Sequence, residues 1–209
     1  MKHEWKKVEK QFYLPGTKPE LIKIPSFKFF SIEGKGDPND KSFADYISVL
    51  YSLSYAIKMS PKKGLAPKDY FEYSVYPLEG VWDISEEAKK LADSKIDKST
   101  LVFNLMIRQP DFVTAYYALE IIELTKKKRP HPLLENVIFS SYEDGNCIQM
   151  MHHGSYDDES VTFRKMEAFC NEKGLTRESK VHREIYLSDT RRVSAYKLKT
   201  VLRFKIIMP

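Results

Sequence analysis

The segment Arg183-Glu184-Ile185-Tyr186-Leu187-Ser188-Asp189 sets a carboxylate and a phenol two residues apart. Side chains alternate between the faces of a strand, so Glu184, Tyr186 and Ser188 share one face and Ile185 and Leu187 the other. The apolar pair is expected against helices, which leaves the Glu/Tyr pair over an open groove. A carboxylate among aromatic rings loses hydration, and this favours its neutral form. Ionised, it pairs with a cationic ligand; poised near neutrality, it moves protons or orients water. The same alternation also describes an ordinary glutamate on a solvated sheet surface.

Aromatic residues make up 13% of the 209 residues, with 13 Tyr, 12 Phe and 2 Trp. Such side chains fill cores, but tyrosine also lines recognition surfaces because a flat apolar body carries a polar tip. Tyr51 and Tyr55 stand at i, i+4 on a helix expected from about Phe43 to Met59. Core, solvated rim and groove wall all suit that pair. Trp82 lies beside Glu79 in Leu78-Glu79-Gly80-Val81-Trp82-Asp83, which reads as a loop or turn, so Trp82 is either a stacking platform or a packing residue. Tyr73, on a strand expected over Phe71–Val75, and Met151, on one expected over Cys147–His152, complete the candidate lining with Tyr186 and Glu79.

Other chemistries find little support. His152 and His153 are adjacent, so a strand would send them to opposite faces, and no HExxH spacing accompanies them. His131 and His182 read as surface residues. No Walker loop, GxGxxG, GxSxG or nominable Ser/His/Asp set is present, so neither a metal nor a cofactor is expected. Cys147 and Cys170 lack CxxC spacing and read as buried, reduced thiols. The balance of 34 basic and 29 acidic residues gives a net charge of +5, spread among carboxylates. The one basic block, Lys126-Lys127-Lys128-Arg129, sits where a helix should end and complements its dipole. Direct nucleic-acid binding is therefore not expected. No run approaches the roughly 18–20 apolar residues of a membrane span, and the charged start lacks a signal-peptide core, so no membrane partner and a cytoplasmic location are expected.

The elements that must position these residues repeat. Phe27–Glu33 alternates like a strand, Gly34–Asn39 forms a turn, a helix follows, and strands come after it. Cys147–His152, Gly154, the acidic Tyr156-Asp157-Asp158-Glu159, a helix over Asp158–Glu172 and strands over Arg183–Leu187 and Thr200–Ile207 run in the same order. Asp144-Gly145-Asn146 reads as a hairpin between Val137–Glu143 and Cys147–His152. The expected fold is α+β. Two strand-helix-strand-strand units, about 27–108 and about 146–207, are related by a pseudo-twofold axis, with an inserted helix at about 111–128. The antiparallel sheet carries helices on one face and a central ligand groove, within a single domain spanning 1–209.

Several segments together carry a family resemblance: Ile32-Glu33-Gly34-Lys35-Gly36-Asp37-Pro38-Asn39, Pro77-Leu78-Glu79-Gly80-Val81-Trp82, Met106–Val113, Gln149-Met150-Met151-His152, Tyr156-Asp157-Asp158-Glu159 and Glu184-Ile185-Tyr186-Leu187-Ser188-Asp189. In this order they resemble the GyrI-like small-molecule-binding proteins, and within them the stand-alone bacterial subgroup related to cyclopropanoid cyclopropyl hydrolases. The likeness runs from about Lys6 to Phe204. It implies a groove for bulky aromatic or hydrophobic, often cationic compounds. It also implies hydrolysis of the strained cyclopropane of DNA-alkylating cyclopropanoids, as self-protection. The groove glutamate of the family falls on Glu184, its tryptophan on Trp82 and a groove-facing helical tyrosine on Tyr55, which makes Glu184 and Tyr55 the expected catalytic pair. Asp83, His153, Ser155 and Thr190 depart from the subgroup pattern and bear on ligand choice. Two alternatives stand beside turnover: a drug-binding, sensing or sequestration module without catalysis, and a gyrase-type protein-interaction inhibitor.

Overall fold

The computed structural model describes residues 2–90, 97–189 and 192–208. Thr190, a departure noted above, lies outside the described residues. The fold is α+β and the described strand pairs are antiparallel. The chain divides into two compact units. One comprises the residues up to His3 with Phe27–Leu78 and Trp82–Tyr142; the other comprises Glu4–Ser26, Glu79–Val81 and Glu143–Pro209. Among the described residues, no helix is long and apolar enough to cross a membrane.

The first unit contains β2 (Phe27–Lys35), α3 (Phe43–Lys58), the end of β3 (Leu78–Ile84), the short α4 (Glu86–Lys89), β4 (Leu101–Gln109), α5 (Ala115–Lys128) and β5 (Ile138–Tyr142). β2 is central, pairing with β4 from Lys28↔Gln109 to Lys35↔Val102 and with β5 from Phe27↔Tyr142 to Ser31↔Ile138. Its even-numbered side chains, Phe30 and Ile32, are fully buried with Leu50, Leu53 and Ile57 of α3. Gly34 continues that row, and a Cβ there would come within 2.4 Å of the Phe103 ring and 2.9 Å of Tyr46. A side chain at 34 would therefore displace the aromatic contact that seats α3. α5 starts where the Thr114 hydroxyl accepts from the Tyr117 amide at 3.2 Å and ends on Lys126, Lys127 and Lys128, cations at the negative helix end as expected.

The second unit holds the short helices α1 (Trp5–Val8) and α2 (Lys10–Tyr13), then β1 (Glu20–Ile24), β6 (Gly145–His153), α6 (Glu159–Glu172), β7 (Thr176–Arg177), β8 (His182–Tyr186) and β9 (Lys199–Ile207). The strand order is β1-β6-β9-β8, followed by β3, whose Glu79–Val81 belong to this unit. Directly paired residues share a face. Ile148↔Phe204 and Met150↔Leu202 therefore form one apolar surface, which packs on Met166 and Cys170 of α6. The opposite face is equally buried and sets polar side chains among its apolar ones. There Arg203 donates to Gln149 Oε1 at 2.8 Å and to the Phe12 carbonyl at 2.6 Å, while Gln149 donates to Gln11 O and to Glu20 Oε1, both at 2.7 Å. The N-terminal arm thus covers the face that α6 leaves open.

Four expectations are corrected. Leu78–Asp83 is not a loop but most of β3, and Phe71–Val75 forms no strand, only a bridge between Tyr73 and His3. β1 was not anticipated, although its Ile24 is buried and its partner is β6. Asp144-Gly145-Asn146 joins no hairpin: β5 pairs with β2, whereas β6 pairs with β1 and β9. Instead of closing a turn, Asp144 serves Arg183.

Candidate functional site

β8 carries the candidate chemistry. Glu184 pairs across the sheet with Leu202, on the apolar surface that meets α6, so it points to the helix side and not away from it. This reverses the expected face. Ile185 is fully buried on the opposite side, because in this unit both sides of the sheet are covered and alternation alone does not say which cover is helical. Glu184 sits at the start of α6, where the first helical residue is Glu159. The two glutamates and His182 bring one ligand-capable atom each to within 4.8 Å of one another.

The local geometry fixes the cluster. His182 and Glu184 are two apart on β8 and share its face. His182 Nε2 lies 3.2 Å from Glu184 Oε1, and Nδ1 lies 3.2 Å from the Lys180 carbonyl. The imidazole stands edge-on to Phe163 of α6, with ring centroids 4.8 Å apart. Glu159 is buried, and its Oε1 has no hydrogen-bond partner. Burial raises the Glu159 carboxyl above the ordinary range, reinforced by the adjacent charge of Glu184, a hydrogen bond with it and the charge of Asp157. Tyr156 and Tyr186 meet edge to face at 5.8 Å beside the carboxylates. Burial, then the charges of Glu184, Glu159 and Asp189, push the Tyr156 phenol up to about 12, so it remains a neutral hydrogen-bonding group. The set offers a shared carboxyl pair, two phenols and an imidazole. It can hold protons, bind a cation or orient water. Its three donors are also ones that a divalent ion uses.

The other expected residues distribute differently. Glu79 is buried on the opposite face, where Arg183 Nη1 donates to its Oε2 at 2.9 Å. Arg183 also clamps Asp144 through Nε at 2.7 Å and Nη2 at 2.9 Å. Burial alone would raise the Asp144 carboxyl, but the charge and hydrogen bonds of Arg183, with Arg203 and Lys205, outweigh it and hold Asp144 below the usual 3.8. Glu79 is thus a structural counter-ion and not a ligand-facing acid. Met151 is buried on that same side, paired with Val201. In the first unit, Trp82 is 5% exposed, stacked on Phe43 at 6.0 Å and tilted on Phe103 at 5.3 Å, so the stacking platform expected there is instead a core residue. Tyr73 is likewise buried, edge-on to Phe112 and Tyr70. Tyr51 and Tyr55 lie 6.2 Å apart on α3, and Tyr55 is half exposed. They belong to the first unit and Glu184 to the second.

Two members of the cluster were missed. His182 was read as a surface residue, although the His182-Arg183-Glu184 spacing already puts imidazole and carboxylate on one strand face. Glu159 was read only as an acid suited to a helix start. His152, by contrast, is explained: buried, with Nδ1 at 2.9 Å from the Thr162 hydroxyl and Nε2 at 3.0 Å from the Ser155 carbonyl, it ties β6 to α6. His153 is exposed, as alternation requires. Cys147 and Cys170 are buried free thiols, and burial, aided by Asp144, pushes Cys147 up to about 12.

Comparison with known proteins places these features. Residues 17–206 match the profile of the GyrI-like small molecule binding domain. A hydrolase from Listeria innocua of known structure is 34% identical, with a TM-score of 0.88, over 99% of this chain and 100% of its own. A further hydrolase structure from that organism is 35% identical over the same shares, with a TM-score of 0.89. The EcmrR C-terminal domain shares 12% identity and a TM-score of 0.53 over 92% of this chain and 98% of its own, a likeness of fold alone. No curated protein matches the chain.

Proposed function

Because this chain belongs to the GyrI-like small-molecule-binding family, we propose that it takes up bulky aromatic or hydrophobic compounds, cationic ones among them, and hydrolyses the cyclopropane of DNA-alkylating cyclopropanoids as a protective reaction. The observation that carries the reading is a partly buried carboxyl pair, Glu159 and Glu184, set beside the Tyr156–Tyr186 rings at the start of α6. The two Listeria innocua hydrolases, similar to this chain over its full length, support turnover.

In the proposed reaction, Glu184 accepts a proton from water as the water oxygen bonds to the strained ring carbon. The ring C–C bond breaks, and its electron pair moves into the conjugated carbonyl system, which becomes a phenolate and takes up, through water, the proton that Glu184 then releases, so that the product is the drug plus one water. Positioning of the water and hydrogen bonding to the developing oxyanion are what the protein supplies; relief of ring strain and aromatisation supply the driving force. Tyr156 or Tyr186 offers that hydrogen bond.

The test is incubation of the purified protein with a cyclopropanoid alkylator, followed by mass spectrometry. The expected product is the drug plus one water, formed by the wild type and lost in Glu184→Gln. An unchanged drug, or equal turnover by the variant, removes the hydrolase reading. Tight binding of a lipophilic cation without any product, lost in the same variant, establishes the non-catalytic binding module instead.

A further inference from the structure

We propose that Glu159, His182 and Glu184 form a binding site for one divalent transition-metal ion, Zn2+ or Mn2+ by donor type. The first support is convergence. Donors held 2.0–2.2 Å from a shared ion lie about 3–4 Å from one another. Here one atom from each of the three side chains already falls within 4.8 Å of the other two, so only a small closure is needed.

The second support is the orientation of the imidazole. The Lys180 carbonyl at 3.2 Å from His182 Nδ1 can only accept, which ties a hydrogen to Nδ1 and leaves Nε2, 3.2 Å from Glu184 Oε1, as the nitrogen placed toward the cluster. Ligating histidines are held in this way, with the remote N–H tied to a carbonyl. Phe163 against the ring keeps it there.

The third support is independent of the other two. Glu159 is only 7% exposed, yet its Oε1 has no hydrogen-bond partner, an arrangement that native interiors avoid. An ion at the centre of the cluster would give the Glu159 carboxylate the partner it lacks there. Charge fits as well: two ionised carboxylates supply −2, which one divalent cation balances without bringing uncompensated charge into the interior. The His182 side chain is 22% exposed and gives the ion a way in.

Two oxygens and one imidazole nitrogen suit Zn2+ or Mn2+ better than Ca2+, which collects 6–8 oxygens, or a soft copper ion, which seeks sulfur. Three protein ligands leave a coordination position for water or a ligand oxygen. This inference rests on the cluster's geometry and needs no turnover, so its failure and that of the drug-hydrolysis reading are separable.

The experiment uses the full chain stripped with a chelator. Zn2+ is titrated by calorimetry, and Co2+ is added as a ligand-sensitive visible probe. One ion per chain is expected, with a rise in melting temperature and a Co2+ absorption band. Loss of a ligand should exceed the 10–100-fold cost of losing an outer-shell partner, so His182→Ala and the near-isosteric Glu159→Gln should each weaken Zn2+ by at least about 100-fold. Circular dichroism confirms that both variants fold. A wild-type chain that leaves Zn2+ and Co2+ unbound, or equal binding by the variants, overturns the site. Drug turnover by the stripped protein is measured in parallel and reports on the other reading alone.

Discussion

Each unit runs strand, helix, strand, strand: β2-α3-β3-β4 in one and β6-α6-β8-β9 in the other, apart from the short α4 and β7. In both, the first residue of the long helix touches the strand that follows it. In the first unit that contact is Phe43 stacked on Trp82; in the second it is Glu159 beside Glu184. The same local position is filled once by two rings that exclude water and once by two acids that cost stability when brought together. The aromatic junction serves folding and the acidic junction serves chemistry. An acid pair persists in a buried place only where its neighbours, here His182, Tyr156 and the apolar seam of α6, hold it in position.

That contrast can be broken from either side. Trp82→Ala should cost the most, about 4 kcal/mol in urea unfolding, because it empties the volume between Phe43 and Phe103. Arg183→Met should cost about 3 kcal/mol near neutral pH by leaving Glu79 and Asp144 buried without their cation. The sign of its pH dependence sharpens the comparison. The folded carboxyl of Asp144 is held below 3.8, so its contribution is complete above that value and fades as pH falls through the lower folded value. Melting temperature of the wild type should therefore drop in acid below about pH 4, and Arg183→Met should lose that drop. Glu159→Gln should have the smallest effect on folding, a gain of up to about 1 kcal/mol, because it removes a carboxyl disfavoured first by burial and then by the charge of Glu184. A loss comparable to that of Trp82→Ala would show that the acidic junction is structural as well.

The sequence carried the order of elements well. Alternation in Phe27–Glu33 and the apolar spacing of Phe43–Ile57 give β2 and α3 directly, although β2 is buried on both faces from Phe29 to Ile32. It did not carry the side on which Glu184 lies. That depends on what covers the second face of the sheet, and the cover includes an N-terminal arm that meets it through backbone carbonyls. Trp82 misled for a related reason: Gly80 and Asp83 mark turns locally, yet pairing in the sheet overrides them and buries the indole. His182 was recoverable from its spacing to Glu184. Glu159 was not, because its proximity to β8 is a tertiary fact and lies 25 residues away in sequence.

The carbonyls of Gln11 and Phe12 reach across to Gln149 and Arg203, two polar side chains in the middle of β6 and β9. The opening stretch of the chain is therefore a plug and not a tail. Clipping it would take away the carbonyls that now satisfy a buried guanidinium and a buried amide, so a tag or fusion joined there must leave the plug seated.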